Sequence, residues 1–278
     1  MAENTSWMDQ TTEGFRPPSD LHPEIPHPAR IYNYFLGGKD HFPADREAAE
    51  KVLAFAPATP SAARANRAFL QRAVRYVAGE GITQFLDIGT GIPTAGNTHE
   101  VAQQVDPAVK VVYIDNDPIV LAHARALMAG PGHGATTVLQ ADLRDPAAIL
   151  ADPRVREAID FGQPVALMLV AVLHFVDDEQ DPYGLVKTLL DALVPGSYLI
   201  LSHATGDFDP PEHSAAGKAA YQKAAAQVSP RSHPEVLRFF EGLELLEPGV
   251  VAVPKWRPED AEAAEAWAPG YGAVARKA

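Results

Sequence analysis

Apolar residues fall into two alternating rhythms along this chain. Short continuous runs closed by Gly, Pro or Asp occur at 84–87, 109–114, 135–140, 164–173 and 198–203, with two more at 243–246 and 271–275. Between them, apolar positions recur at intervals of three and four residues. The first rhythm is that of buried strands and the second that of amphipathic helices. Their regular alternation predicts a doubly wound α/β fold with a mostly parallel sheet of seven strands. The almost wholly apolar 164–173 reads as a central strand covered on both faces, and the last two runs form an antiparallel pair bringing an antiparallel strand to the sheet edge.

The helices carry their own punctuation. In 61–79 the apolar face is Phe69, Leu70, Ala73, Val74 and Val77, and Arg64, Arg67, Arg72 and Arg75 are expected on the opposite, solvated side. Asn97 with Glu100 gives a capping-box start to the next helix. Pro118 opens another, which Gly130-Pro131-Gly132 ends. Asp181 and Pro182 begin a helix whose buried face is Leu185, Val186, Leu189, Leu190 and Leu193. Helices are also expected at 211–228 and 234–241. Trp256 and Trp267 are read as seals on a core rim.

Ahead of the first strand, residues 1–25 are polar and proline-rich without periodicity and read as a disordered or extended tail. A short helix at 28–36 stops at Gly37-Gly38, followed by Lys39-Asp40-His41-Phe42 and a second helix from about residue 44. Aromatic, amide, lysine and acid side chains gathered around a double glycine suit a lid over a ligand, with hinge freedom from the glycines. Read alone, the same residues are better accounted for by a helical hairpin that merely covers a sheet edge. The sheet-bearing domain is 81–278, with a helical insertion near 211–240 that overhangs a pocket.

The candidate chemistry lies at the strand ends. The first strand runs into Asp87, Gly89, Thr90 and Gly91, a tight turn in which glycine lets backbone approach a ligand. The second ends in Asp115-Asn116-Asp117, at about the ~20-residue interval expected between a nucleotide-binding turn and the acid that holds ribose hydroxyls. The third ends in Asp142-Leu143. Three carboxylates along one edge suit a ligand with ribose hydroxyls and an exocyclic amine. The central strand runs into His174 and the fifth ends in His203, two candidate general bases.

These residues resemble class I S-adenosylmethionine-dependent methyltransferases, whose fold is Rossmann-like. Asp87-x-Gly89-x-Gly91 is similar to their first motif, Asp115 to the ribose acid and Asp142-Leu143 to the adenine pair. Pro93 stands where many of them carry a third glycine. The blocks PHPARIYNYFLGGKDHFPADREAAE (26–50) and VLHFVDDEQDP (172–182) are closer to one branch, the actinobacterial S-adenosyl methyltransferase family, and that resemblance runs from residue 26 to the C-terminus. It implies S-adenosyl-L-methionine as cofactor, held by Tyr32, Lys39, Asp87, Gly89, Thr90, Gly91, Asp115, Asn116, Asp142 and Leu143. It implies in-line methyl transfer to an oxygen or nitrogen of a small molecule. It also implies that residues 26–80 are a helical lid and cover rather than a mere edge covering. Tyr32 or Tyr34 would pack on the sulfonium or adenine, and Tyr32, Lys39 and Asp40 would orient the ligands from the lid. A binding regulator without turnover and an NAD(P)-dependent oxidoreductase are the alternatives. The latter prefers G-x-G-x-x-G, and here Thr94 occupies the last position.

Composition narrows the setting. The 278 residues carry a net charge of −13, which repels phosphate-rich partners, so no nucleic acid is expected. No apolar run is long enough for a bilayer and no leader is evident, so a cytoplasmic bacterial protein without membrane association is expected. A monomer or homodimer suits such a chain. Zero cysteines remove disulfides, thiolate nucleophiles and cysteine-held clusters, and ten histidines without an H-E-x-x-H pattern give no metal site.

Overall fold

The computed structural model describes residues 22–128, 136–208 and 228–278. The apolar runs become β1 (Gln84–Ile88), β2 (Lys110–Asp115), β3 (Thr136–Gln140), β4 (Ala166–Val170) and β5 (Tyr198–Ala204). These are parallel, in the spatial order β3-β2-β1-β4-β5. The chain steps outward from β1 to β3, then returns to the other side of β1. At that reversal the loops after β1 and β4 diverge, and open α/β sheets bind ligands in the resulting crevice.

Three later strands complete an eight-stranded sheet: β6 (Leu243–Leu245), β7 (Val251–Ala252) and β8 (Gly270–Lys277). β8 runs antiparallel beside β5, and both β6 and β7 pair with it. The antiparallel strand therefore sits one place in from the edge. The two-residue β7 is too short to leave a pattern in the sequence.

Helices cover both faces. Leu86, Ile88, Val112, Ile114, Leu167 and Leu169 pack on one side against α6 (Pro146–Ala151), α7 (Pro153–Ala158), α8 (Pro182–Asp191) and α9 (His233–Leu237). Phe85, Val111, Met168 and Ile200 pack on the other against α3 (Thr59–Gly79), α4 (Thr98–Val105) and Trp256. Helices α1 (Pro28–Phe35) and α2 (Pro43–Phe55) form a third, smaller apolar cluster through Ile31, Phe35, Ala48, Ala49 and Ala63. Since α3 shares the core of the sheet, the cover proper is α1 and α2. Pro118 opens α5 (Pro118–Met128), and α10 (Ala261–Ala264) is a single turn. The expected Gly130-Pro131-Gly132 stop and the 211–228 helix lie outside the described residues, as does nearly all of the 1–25 tail.

Three expectations are corrected. The central strand ends at Val170 rather than at residue 173, because Ala171 adopts a left-handed backbone with φ 56°. Its N–H turns to Ser202 O (3.1 Å) and Oγ (3.0 Å), and a short 3-10 turn, Leu173–Phe175, follows. Trp256 is fully buried, but Trp267 is 44% exposed and seals nothing. The arginine stripe is not wholly solvated. Arg64 and Arg75 are exposed, whereas Arg72 is buried and donates to Trp256 O (3.0 Å) and Val253 O (2.9 Å). It follows Phe69 by three positions, so it shares the apolar face, and its stem packs while its head satisfies turn carbonyls.

Arg72→Met keeps the stem and removes both donors. It is expected to lower the unfolding free energy by about 2–4 kcal/mol, because two buried carbonyls lose charge-assisted bonds. Urea unfolding checks this; a change within experimental error contradicts it.

Candidate functional site

The turn after β1 is built from backbone bonds. Gly89 N and Thr90 N donate to Ile114 O at 2.8 and 3.3 Å, drawing the turn onto the end of β2. Gly89 has φ 78°, and a Cβ there would stand 2.3 Å from Val172 Cγ2, so only glycine lets the β1 turn meet the segment after β4. Gly91, at φ 69°, has open space where a Cβ would be. Its N–H donates to Asp115 Oδ2 at 2.8 Å. Thr90 Oγ1 is buried and forms no hydrogen bond within the protein. A buried hydroxyl without a partner, beside an open glycine and a tethered carboxylate, fits a polar ligand lying on this turn.

Asp115 ends β2, 6% exposed. Its Oδ1 accepts from Asp117 N at 2.9 Å, so each carboxylate oxygen holds one backbone donor and keeps capacity for another. Burial raises its pKa, against the pull of those two N–H groups. Asn116 is exposed.

Asp87 and Tyr113 are register partners that face α3 and α4. Thr98 Oγ1 donates to Asp87 Oδ2 at 2.7 Å, and His99 N donates to Tyr113 Oη at 2.8 Å. Burial pushes Asp87 up to about 6, with the Thr98 bond and the Arg67 charge opposing. Arg67 donates to Gly96 O (3.1 Å) and Asn97 Oδ1 (3.4 Å), pinning the loop between β1 and α4. A cavity of about 10 Å³ among Arg67, Asp87, Thr90, Gly91, Asn97 and Tyr113 has room for about one water.

At the end of β3, Ala141 N donates to Asp115 O at 3.1 Å, bringing this turn beside the end of β2. Arg144 Nε donates to both oxygens of Asp142 at 2.9 and 3.0 Å and holds its pKa below the usual carboxylate range. Leu143 is buried in the core with Leu139 and Ile149. Its side chain is therefore taken up by the core, and its backbone is the part left toward the crevice.

On the other side of the crevice, a chain of bonds joins the cover to the strand ends. Tyr32 Oη donates to Ala63 O (3.0 Å) and accepts from Asn66 Nδ2 (3.1 Å), while Asn66 Oδ1 accepts from Ser202 Oγ (2.6 Å). Ser202 in turn holds the left-handed Ala171. Tyr34 instead bonds Glu50 on α2, so of the two tyrosines only Tyr32 reaches the strand ends. Gly37-Gly38 is a bonded helix end rather than a free hinge: their N–H groups donate to Tyr34 O and Asn33 O at 2.9 Å each. Lys39 and Asp40 lie exposed on the turn that follows.

His174 and His203 are brought together, ring centroids 5.6 Å apart. His203, a candidate base in the sequence, is held at both ring nitrogens. Its Nδ1 donates to Ala204 O at 2.7 Å and its Nε2 accepts from Arg231 Nη1 at 2.9 Å, so no lone pair is left. Burial pushes it down to about 4. His174 accepts one long bond at Nδ1, 3.4 Å from Ala204 N, and burial with the neighbouring His203 and Arg231 holds its pKa well below the usual histidine value. Arg231 is the organiser that the sequence does not announce. It is 3% exposed and also donates to Leu173 O, Val176 O and Asp178 Oδ1. A lone arginine after Pro230 in a polar stretch carries no periodic signal.

A sequence profile described as S-adenosyl methyltransferase matches residues 16–278. Among solved structures, a DUF574 family protein from Streptomyces avermitilis MA-4680 is 48% identical with a TM-score of 0.87, over 93% of this chain and 100% of that one. A candidate methyltransferase from Thermobifida fusca YX is 41% identical with a TM-score of 0.86, over 95% and 99%. No curated protein matches the chain. Among the described residues no helix is long and apolar enough to cross a membrane.

Because the folded-state pKa of Asp87 is raised, the native chain binds that proton more tightly than the unfolded one. Through this group stability is gained on acidification toward pH 4 and lost as pH rises through about 6. Asp87→Asn keeps an acceptor for Thr98 and removes the charge. It is expected to be more stable than the parent by roughly 2 kcal/mol at pH 7, the gap shrinking several-fold at pH 4. Urea unfolding at both pH values checks this; a gap that does not change with pH contradicts it.

Proposed function

The chain belongs to the S-adenosyl methyltransferase family, and on that premise we propose that it transfers a methyl group in line to an oxygen or nitrogen of a small-molecule acceptor. S-adenosylmethionine is the methyl donor of this enzyme family. The observation that carries the seat is the tether of Gly91 N–H to Asp115, beside the buried, unbonded Thr90 hydroxyl. In this reading Asp115 receives the ribose hydroxyls, Gly89 to Gly91 and the Asp87 end of β1 receive the methionine part, and Asp142 with the Leu143 backbone borders the adenine. Asn116 and Lys39, both exposed, could contribute only at the rim. The family match sets aside the nicotinamide alternative.

Bound, the donor supplies a methyl already activated by its sulfonium. What remains for the chain is alignment of the reacting atoms, which in favourable systems is worth up to ~7–11 kcal/mol. In this reading the methyl points toward the crossing of the β1 and β4 ends, where Gly89 meets Val172. The cover, tied through Tyr32, Asn66 and Ser202 to Ala171, is suited to exclude water from that point.

His174 is the proposed acceptor-side base. Its depressed pKa keeps the ring neutral at pH 7. Moving its proton to Nδ1 sacrifices one 3.4 Å bond and frees an Nε2 lone pair for the acceptor's proton. His203 is assigned instead to holding Arg231.

Isothermal titration with S-adenosylmethionine tests the seat. Asp115→Ala is expected to weaken binding by about 10- to 100-fold, the loss of charge-assisted bonds to two hydroxyls; unchanged affinity defeats the assignment. His174→Ala is expected to keep cofactor affinity within about 2-fold while slowing methyl transfer to lysate metabolites by ~10²-fold. Transfer at the parent rate removes His174 from the mechanism.

A further inference from the structure

Two residues beyond the ribose acid, Asp117 does two different things with its two oxygens. Its Oδ1 accepts from Ile119 N at 2.9 Å, the ordinary cap of the first turn of α5. Capping needs only that oxygen. Oδ2 is buried, accepts no hydrogen bond, and is compensated by charge from the N-terminal segment. His27 Nδ1 stands 3.1 Å from it and Arg30 Nε 3.6 Å.

The groups around it form one buried network. Arg30 is 3% exposed, Asp45 0% and Asp117 3%. Arg30 Nε lies 3.3 Å from Asp45 Oδ1, and Arg30 Nη2 donates to Ile25 O at 2.6 Å. Asp45 also accepts from His27 N (2.9 Å) and Phe42 N (2.8 Å), fixing the start of α2. So the cover meets the sheet edge through charge on Asp117, whose own N–H holds Asp115 Oδ1 at 2.9 Å. A charge placed this deep is costly unless paired, so the position of Asp117 is set by the cover as much as by α5.

We propose that Asp117 is a positioning residue for Asp115, and that Arg30 holds it in that role, so that the N-terminal cover shapes the ribose seat without touching the ligand. The inference rests on Asp115 being that seat. It makes ordering of residues 25–45 and cofactor binding thermodynamically coupled: each favours the other by the same factor.

A double-mutant cycle on the full chain tests it, with S-adenosylhomocysteine as the titrated ligand. Asp115→Asn, expected to weaken binding by about 10-fold or more, tests the seat itself; unchanged affinity there overturns both readings. Asp117→Asn keeps the α5 cap and removes the charge. It is expected to weaken binding about 5- to 10-fold in the parent and not at all in the Asp115→Asn background, since residues acting through one another are non-additive. Arg30→Lys keeps charge but not fork geometry, and the same loss confined to the Asp115 background that retains the carboxylate is expected, so the cycle does not depend on Asp117→Asn folding. If Asp117→Asn or Arg30→Lys binds as the parent does, or if either multiplies independently with Asp115→Asn, the positioning role is overturned while the seat stands.

Discussion

A carboxylate buried at the end of a parallel strand must be given donors, and in this chain that requirement organises the whole carboxyl edge of the sheet. Desolvating such a charge without partners costs several kcal/mol. Asp87 is met by the Thr98 hydroxyl and by the Arg67 field. Asp115 is met by the N–H groups of Gly91 and Asp117, and Asp117 by Ile119 N and the charge of Arg30. The partners come from α3, α4, the glycine turn, the start of α5 and the cover, so satisfying three acids pins five segments around one crevice. The glycines follow from the same need, since only a backbone free of Cβ can lie between Val172 and the end of β2.

The region after β4 and β5 is organised by a cation. Arg231 bridges the carbonyls of the loop after β4 to His203 on β5, and His203 stacks on Phe239 with centroids 5.8 Å apart. This leaves His174 as the ring with an unused nitrogen at the mouth of the crevice. On the proposed reading, anionic anchoring would serve the cofactor side and cationic anchoring the acceptor side of one sheet edge. The cover reaches both halves, through Asp117 on one and through Tyr32 and Asn66 on the other.

The strands were legible because a parallel sheet covered on both faces leaves continuous apolar runs, and the strand-end acids stood out against them. Asp87, the Gly89-Thr90-Gly91 turn and Asp115 all fall where the pattern places them, at one edge. Less legible was anything decided by side-chain direction or by contacts distant in sequence. Arg72 and Arg64 look alike along α3, yet only Arg72 meets turn carbonyls some 180 positions later. His203 lies at the end of β5 and His174 in the turn after β4, and only the tertiary position of Arg231 separates a locked imidazole from one with a free edge. Leu143 follows an acid on the ligand side but turns into the core, because side chains alternate across the turn. Ala171 ends β4 early through a left-handed backbone that nothing in an apolar run announces.

The most direct measurement of the central claim is a crystal structure of the chain grown with S-adenosylhomocysteine. The account predicts the ribose hydroxyls within hydrogen-bond distance of Asp115, the homocysteine over Gly89 to Gly91, and the sulfur directed toward the Val172 and His174 side beneath α1. An adenosyl group bound elsewhere, or bound with the Asp115 carboxylate facing away from it, contradicts it.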